Sequence, residues 1–222
     1  MIVTPRPGQY RWGLIGFLFT LVLIALIKIH FIVPRVLDLA INQWFSLSQT
    51  PFGNGLLSAV TFLGSPAMGI VYTLLLFAAL LLAGLRVPAL WTVLTVLSGL
   101  LVNAFVKSLV GRLRPAEHLV SDTGFSFPNT HVFITVLIVV IFFVLIFPNM
   151  QRGSTRLLWQ AIAVVLTIWV MVSRLYLQAQ YFTDVLAGAG LALAWGALMV
   201  AAYPRLARWL TTKIPFFKND EI

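Results

Sequence analysis

The chain consists of long apolar runs that short polar segments interrupt. Each run is close to the length of about 20 mostly apolar residues that a helix needs to cross a bilayer. We therefore expect each run to form a transmembrane helix. The pattern predicts six spans, which cover residues 13–33, 66–85, 88–110, 129–147, 157–177 and 184–202.

The composition narrows the fold class further. Of the 222 residues, 60% are hydrophobic, only 9% are charged and none is Cys. A soluble domain carries roughly 25% charged residues, so a soluble single domain and a disordered chain are both excluded. Without Cys, a disulfide-stapled or Cys-ligated metal protein is excluded too. We expect an all-α integral membrane bundle of six transmembrane helices, with residues 1–222 forming a single membrane domain.

The segment between the first two spans, residues 35–64, is less uniformly apolar than its neighbours. It carries Asp38, Asn42, Gln43 and Trp44 among apolar residues, and this mixture is typical of a helix that lies in the membrane interface. The first span is longer than the ~7–15-residue apolar core of a signal peptide. We therefore expect the first span to be an uncleaved helix.

The positive charges predict how the bundle is oriented. The net charge is +9, and because the cations lie between apolar runs, their expected partners are anionic membrane lipids and not nucleic acid. With six spans, nine cations share a side with both termini and six lie opposite. Since Lys and Arg are enriched in cytoplasmic loops, the prediction is a multi-pass protein of the cell membrane with both termini cytoplasmic. The nine are Arg6, Arg11, Arg86, Arg152, Arg156, Arg205, Arg208, Lys213 and Lys218, and the six are Lys28, Arg35, Lys107, Arg112, Arg114 and Arg174.

Three polar clusters fall on the predicted non-cytoplasmic side. They cover residues 107–115 at the exit of the third span, 127–131 at the start of the fourth, and 173–184 between the fifth and the sixth. Ionisable residues at membrane depth cost about 2.5–3.5 kcal/mol each on insertion scales, so they are candidates for function. Because the three clusters share one membrane face, we expect them to form one site.

The residue types in these clusters suit an anion. Lys107 and Arg114 are seven positions apart, so they share a helix face. His131 lies in the first turn of a helix, where free N–H groups favour an anion, and Arg174 offers a planar fork that matches phosphate oxygens. Taken singly, some residues of the clusters have plainer explanations: Lys107 or Arg112 could snorkel to headgroups, a lone His131 could be a local hydrogen-bonder, and Asp184 could be an ordinary helix N-cap.

Together, the clusters resemble the signature of the type-2 phosphatidic-acid phosphatase family. That signature reads Lys-x6-Arg-Pro, then Pro-Ser-Gly-His, then Ser-Arg-x5-His-x3-Asp. Order and spacing match from residue 107 to residue 184, and the layout of six spans extends the resemblance over most of the chain. The matching positions are Lys107, Arg114, Pro115, Pro128, His131, Ser173, Arg174 and Asp184.

Members of this family remove phosphate from lipid phosphates or pyrophosphates without a metal or other cofactor. The resemblance implies that His131 protonates the leaving lipid oxygen. It also implies that a histidine at position 180, oriented by Asp184, attacks phosphorus. The implied cradle for the phosphoryl oxygens consists of three cations and three polar residues: Lys107, Arg114 and Arg174, with Asn129, Thr130 and Ser173.

The chain departs from the family at the nucleophile. Gln180 stands where the family has His, and a primary amide has no basic nitrogen lone pair with which to form a phosphoenzyme. The other histidines, His30 and His118, lack the spacing to Asp184 that a substitute would need. An Asn-Thr dipeptide at 129–130 also replaces the family's Ser-Gly, which adds bulk and removes the conformational freedom of glycine.

The residues of the three clusters are compatible with two functions. The first is a membrane lipid phosphatase scaffold that acts at the extracytoplasmic face on a lipid phosphate or pyrophosphate, such as undecaprenyl pyrophosphate or phosphatidylglycerophosphate, with turnover abolished or strongly impaired by Gln180. The second is a non-catalytic protein that binds or transports a lipid phosphate on the same scaffold. An ion channel or proton-coupled carrier is less favoured, because Asp184 is the only acid in the three clusters.

Overall fold

The computed structural model describes residue 3 and residues 7–116, 119–120 and 122–217. Arg6, His118 and Lys218, mentioned above, lie outside these residues. The described residues contain no strand. Their helices are α1 (Pro7–Lys28), α2 (Ile32–Leu47), α3 (Pro51–Leu63), α4 (Pro66–Leu82), α5 (Arg86–Val110), α6 (Thr130–Leu145), α7 (Gly153–Tyr176) and α8 (Phe182–Lys213), with short 3-10 turns at Phe147–Asn149 and Pro215–Phe217.

The helices are long and apolar enough for a membrane bundle. Among the described residues, five helices, α1, α5, α6, α7 and α8, could each cross a bilayer. Taken together as one span bent by 44°, α3 and α4 are also long and apolar enough to cross, which brings the number of candidate spans to six. Apolar side chains such as Leu157, Ile168 and Trp169 on α7 face outward, as expected for contact with lipid tails. The prediction of an all-α membrane bundle is confirmed.

Two helices have bounds that differ clearly from the apolar runs. Helix α1 ends at Lys28 and not near residue 33, because the chain turns at His30, which has a left-handed backbone conformation with φ of +54°. Helix α8 continues to Lys213, well past residue 202. Its last turns alternate between buried and exposed positions, and an apolar run does not reveal such an amphipathic extension. The other four spans shift by at most four residues at either end.

The segment at residues 35–64 contributes to two helices, α2 and α3. Helix α2 turns its polar face inward, with Asp38 and Asn42 buried. Its apolar residues Trp44 and Leu47 are exposed. This polarity is the reverse of that of a helix on a soluble protein, and it suits a helix whose outer face contacts lipid. Because of it, α2 delivers a carboxylate to the interior of the bundle.

Helix α8 lies at the centre of the bundle, and its glycines let neighbouring backbones come close. A Cβ atom on Gly16 of α1 would lie 2.5 Å from the Gly190 carbonyl oxygen. A Cβ atom on Gly188 would lie 2.5 Å from the carbonyl oxygen of Asn129, just before α6. Small residues at such contacts are the usual means by which helices associate in a bilayer. The second contact brings the start of α8 next to the start of α6.

Gly188→Ala should destabilise the bundle. The added methyl group would meet the Asn129 carbonyl oxygen, which belongs to the backbone and has little freedom to move. Forcing a methyl group into a well-packed interior costs about 1–3 kcal/mol, so thermal unfolding in detergent should show a lower midpoint. Gly55→Ala is the matched control, because a methyl group on this helical glycine meets nothing within 4 Å. Equal midpoints for the two variants would contradict the close approach.

Candidate anion site

Four helix ends meet at one end of the bundle. The chain leaves α5 at Gly111, whose left-handed backbone (φ +67°) ends the helix. It enters α6 at Asn129, whose side chain accepts a hydrogen bond from Val132 N and so caps the first turn. Asn129 N also donates to the Asp184 carbonyl oxygen at 3.0 Å, which ties the start of α6 to the start of α8. The end of α7 joins them through Arg174.

The structure brings together the four basic residues that the sequence hypothesis requires. Arg174, Arg114 and Lys107 all lie within electrostatic range of His131, and Lys107 is within range of both arginines. They come from three helix ends: Lys107 and Arg114 from the end of α5 and the loop after it, His131 from the start of α6, and Arg174 from the end of α7. We call Lys107, Arg114 and Arg174 the cation cluster.

Lys107 turns toward the loop before α6 and not toward lipid headgroups. Its Nζ donates to the carbonyl oxygens of Phe125 (2.9 Å), Ser126 (3.3 Å) and Pro128 (2.9 Å). Three acceptors offset part of the cost of placing a charge at this depth. They also hold the loop against the end of α5.

Asp122, a carboxylate that no sequence motif marked, lies among these cations. Its Oδ2 accepts from Arg174 Nη2 and, at 3.3 Å, from Arg114 Nη1. Burial alone would raise the pKa of Asp122, but the attraction of Arg174 and the hydrogen bond from it outweigh burial and lower the pKa. The sequence offers only a partial signal for this residue: the chain has six acidic residues, and two of them, Glu117 and Asp122, stand between Arg114 and His131.

Arg174 is fully buried, yet two of its nitrogens have no partner among the residues that the structure describes. Its side chain is 0% exposed, and within the part of the chain that the structure describes, Nε and Nη1 make no hydrogen bond. Asn129 Nδ2 is also buried and has none among the same residues. Buried donors nearly always have acceptors. Unpaired donors on a buried guanidinium therefore indicate a place for an anion whose oxygens can accept from them.

The start of α6 adds backbone donors to this place. Asn129 accepts from Val132 N through its side chain and from Phe133 N through its carbonyl oxygen. The N–H groups of Thr130 and His131, which come before these, have no acceptor within the helix. A helix start with free N–H groups favours an anion.

The hydroxyl groups of Thr130 and Ser173, expected in the phosphoryl cradle, are used elsewhere. Thr130 Oγ1 donates to Asn103 Oδ1 at 2.9 Å. Ser173 Oγ donates to the Val170 carbonyl oxygen at 2.8 Å and accepts from Thr61 Oγ1. Because a hydroxyl has one hydrogen to donate, neither is free to donate to a phosphoryl oxygen in this arrangement. The two side chains instead join α6 to α5 and α7 to α3.

Gln180, at the expected nucleophile position, is buried beside Arg114. With its amide oriented to match its neighbours, Nε2 donates to the Ser126 carbonyl oxygen and Oε1 accepts from Arg114 Nη1, each at 2.6 Å. In the described part of the chain, its side chain makes no hydrogen bond to Asp184. The residue is therefore next to the cation cluster, but the acid expected to orient it points elsewhere.

Asp184 is paired with Arg112, for which snorkelling to headgroups was one explanation from the sequence. Arg112 Nη1 donates to Asp184 Oδ1 at 2.8 Å, and Nη2 donates to Asp38 Oδ2 of α2 at 2.6 Å. The guanidinium also lies over the Tyr181 ring, 4.0 Å from its centroid. Burial alone would lower the pKa of Arg112, but the attraction of Asp184 and Asp38 outweighs burial and raises the pKa.

Thr183 completes this arrangement, which we call the Arg112 network (Arg112, Asp38, Asp184 and Thr183). Thr183 N donates to Asp38 Oδ1 at 2.9 Å, and its hydroxyl donates to Asp38 Oδ2 at 2.8 Å. Tyr181 N donates to Asp184 Oδ2 at 3.0 Å. The network joins α2, the loop after α5 and the start of α8. Sequence spacing gave no sign of it, because Asp38 is remote from the other members along the chain.

The site therefore offers buried donors suited to an anion but has, at position 180, no group that could attack one. Arg174 has two donors that are unpaired among the described residues, and the start of α6 adds backbone N–H groups, whereas Gln180 can only donate and accept hydrogen bonds. Among the residues that the structure describes, no three His, Cys, Asp or Glu side chains lie close enough to hold one metal ion.

Known proteins match this chain over most of its length. Residues 88–208 match the family model of the PAP2 superfamily. The chain is 28% identical, over 181 residues, to phosphatidylglycerophosphatase B of Bacillus subtilis (strain 168), a match that covers 80% of this chain and 87% of that protein. The structure of this chain is similar to the crystal structure of a transmembrane PAP2-type phosphatidylglycerolphosphate phosphatase from Bacillus subtilis. The TM-score is 0.77 at 26% identity, and the match covers 87% of this chain and 96% of that one.

Arg112→Met should destabilise the protein strongly. The change would leave Asp184 and Asp38 buried without their cation, and breaking a buried ion pair from one side costs about 3–5 kcal/mol. Thermal unfolding in detergent should show a much lower midpoint. Arg156→Met is the matched control, because Arg156 is exposed near the start of α7 and its removal should leave the midpoint nearly unchanged. A midpoint for Arg112→Met equal to that of the control would show that the network does not stabilise the fold.

Proposed function

The chain belongs to the PAP2 superfamily, and from this premise we propose that its cation cluster binds a lipid phosphate or pyrophosphate, on a phosphatase scaffold whose turnover is abolished or strongly impaired by Gln180. The observation that carries the proposal is the buried guanidinium of Arg174, whose Nε and Nη1 lack partners among the described residues. The neighbouring charges of Arg114 and Lys107 add to the attraction of an anion there.

The matched proteins favour phosphatidylglycerophosphate as the lipid. Both are named for it, and we propose the same headgroup class for this chain, with undecaprenyl pyrophosphate as the second candidate. An apolar groove of about 530 Å³ supports a lipid ligand. It starts at Ile134 and Val170, about one helical turn from His131 and Arg174, and runs along α6 and α7 toward Phe147. A tail attached to a phosphate at the cation cluster would lie in this groove.

We propose the following catalytic roles for the residues of the site. His131, in the first turn of α6, would protonate the leaving lipid oxygen of a phosphoryl group held at the cation cluster. A histidine at position 180 would attack phosphorus and then release the phosphate to water, which splits one difficult step into two. Gln180 cannot form that intermediate. Because Asp184 is held by Arg112, the acid that would orient such a histidine is also engaged elsewhere.

A non-catalytic protein that binds or transports a lipid phosphate is the second candidate. The ion pair between Asp184 and Arg112 favours it, since an acid with no nucleophile to orient serves the fold instead. The two candidates predict the same ligand. They differ in whether a restored nucleophile finds the phosphoryl group in a position to be attacked.

We further propose that the cation cluster lies on the extracytoplasmic side, with both termini in the cytoplasm. By sequence, six cations fall on the side of the site and nine on the other. Four of the six make hydrogen bonds within the site, namely Lys107, Arg112, Arg114 and Arg174. Only Lys28 and Arg35 then remain as ordinary loop charges. Setting the bound cations aside strengthens the excess of positive charge on the side of the termini.

Restoring the histidine should restore phosphate release. We expect the wild-type chain, in mixed micelles with phosphatidylglycerophosphate, to release no more phosphate than Arg174→Gln. Gln180→His, and a triple variant with Asn129→Ser and Thr130→Gly as well, should release it, because an imidazole can form a phosphohistidine. Removing the nucleophile costs about 10⁶-fold in one well-studied hydrolase, so even partial restoration should raise the rate by ~10²-fold or more.

Two results would change the assignment. Gln180→Asn is the matched control, because it keeps an amide at this position and should stay inactive. If the histidine variants bind the lipid and release no phosphate, position 180 is not that of a nucleophile and the non-catalytic candidate stands. If the wild-type chain releases phosphate as fast as Gln180→His, its turnover is not impaired.

The orientation can be tested by labelling, because the chain has no Cys of its own. Thr123, in the loop of the site, and Ser154, near the start of α7, are both exposed and lie at opposite ends of the bundle. A membrane-impermeant maleimide should label Thr123→Cys in intact cells and Ser154→Cys only after permeabilisation. The reverse pattern would place the site in the cytoplasm.

A further inference from the structure

A second apolar groove lies on the other flank of the pair formed by α6 and α7. The groove of about 530 Å³ described above, which we call the first groove, lies between this pair and helices α3 and α4. The second groove, of about 520 Å³, lies between the same pair and helices α1 and α8. Val139 of α6 lines both grooves. The two grooves are therefore neighbours of nearly equal volume.

Helix α7 separates the two grooves because it packs closely against the bundle only near its end. Its buried residues are Val170 and residues 173–176, whereas none of residues 153–169 is buried. Along this loosely packed part, Leu166 lines the first groove and Ile168 lines the second. Unfilled space beside a helix forfeits dispersion contacts. In a bilayer, lipid tails must therefore fill the gap on each flank of α7.

Both grooves begin close to the cation cluster. The first groove begins about one helical turn from His131 and Arg174. The second groove begins at Val136 and Ile168, about one and a half turns, or roughly 7–9 Å, along the same two helices from His131 and Arg174. A tail that enters either groove from this end therefore has its headgroup next to the cation cluster.

We propose that the second groove binds the second acyl chain of the lipid whose phosphate lies at the cation cluster, so that the two tails of one lipid lie on either side of α7. This inference rests on the lipid-phosphate site proposed above. The tails of a diacyl lipid leave adjacent glycerol carbons and are similar in length. Two neighbouring grooves of about 530 and 520 Å³ suit such a pair. A polyprenyl pyrophosphate has one tail, which would fill one groove and leave the other to bulk lipid.

Photolabelling of the full chain in uncharged detergent micelles shows where the tails lie. The probes are phosphatidic acid with a diazirine near the end of one tail or of the other, and phosphatidylcholine with the same tails. We expect the two phosphatidic acid probes together to label residues of both grooves in the wild type. The phosphatidylcholine probes should label the second groove about 10-fold less, the scale of one charge-assisted hydrogen bond, because a zwitterionic headgroup is not attracted to a cation cluster.

Two variants on adjacent turns of α7 each fill one groove. Thr167 lines the second groove and not the first, Ala163 lines the first and not the second, and both are partly exposed. Thr167→Trp should remove the label from the second groove. It should also lower the affinity for phosphatidic acid to about that for lysophosphatidic acid, which has one tail and should bind as before. Ala163→Trp is the matched control and should remove the label from the first groove instead.

The outcomes separate this inference from the proposed function. In the wild type, second-groove labelling that is absent, or equal for the two lipids, would show that bulk lipid fills this groove and would overturn the inference alone. An equal loss of affinity for both lipids in Thr167→Trp would overturn it too. If Arg174→Gln, confirmed to be folded, keeps the label in both grooves, the lipid-phosphate site itself is wrong. Loss of label from both grooves in Arg174→Gln, with selective loss in Thr167→Trp, would support both.

Discussion

A cation buried at the end of a lipid-embedded bundle is tolerated only if an acid or several carbonyl groups lie against it. This chain meets that constraint with very few acids, six in 222 residues. Three of them, Asp38, Asp122 and Asp184, pair with the arginines of the site. They come from α2, from the loop between α5 and α6, and from α8. The ion pairs therefore decide how these elements dock, and the docking assembles the site.

The arginines are not equivalent, because they differ in how completely they are paired. Arg112 is bound by two carboxylates and stacks on an aromatic ring, so it serves the fold. Arg174 meets one carboxylate at one nitrogen and leaves two buried donors unpaired among the described residues. Unused donors on a buried group lower the stability of the fold, and the same donors are available to a ligand. The contrast between these two residues separates the part of the site that holds the bundle from the part that can hold a ligand.

The sequence alone led to the membrane bundle and to the members of the cation cluster. Bilayer thickness sets a minimum length for a crossing helix, so apolar runs reveal the spans without knowledge of packing. Because successive crossings alternate in direction, Lys107, His131 and Arg174 had to emerge on one face once the spans were counted. A helix end that is amphipathic, as in the extension of α8 to Lys213, carries no such signal.

Only the tertiary structure decided which polar atoms meet. Asp38 and Asp122 stand at no fixed spacing from Arg112 and Arg174, so nothing in the sequence assigned them as partners. The hydroxyl groups of Thr130 and Ser173 lie within the recognised motifs, yet they donate to Asn103 and Val170. Spacing along a helix fixes the face on which a residue lies. A hydrogen bond depends on distances near 3 Å and on angles, and these are set only when elements remote in sequence have packed together.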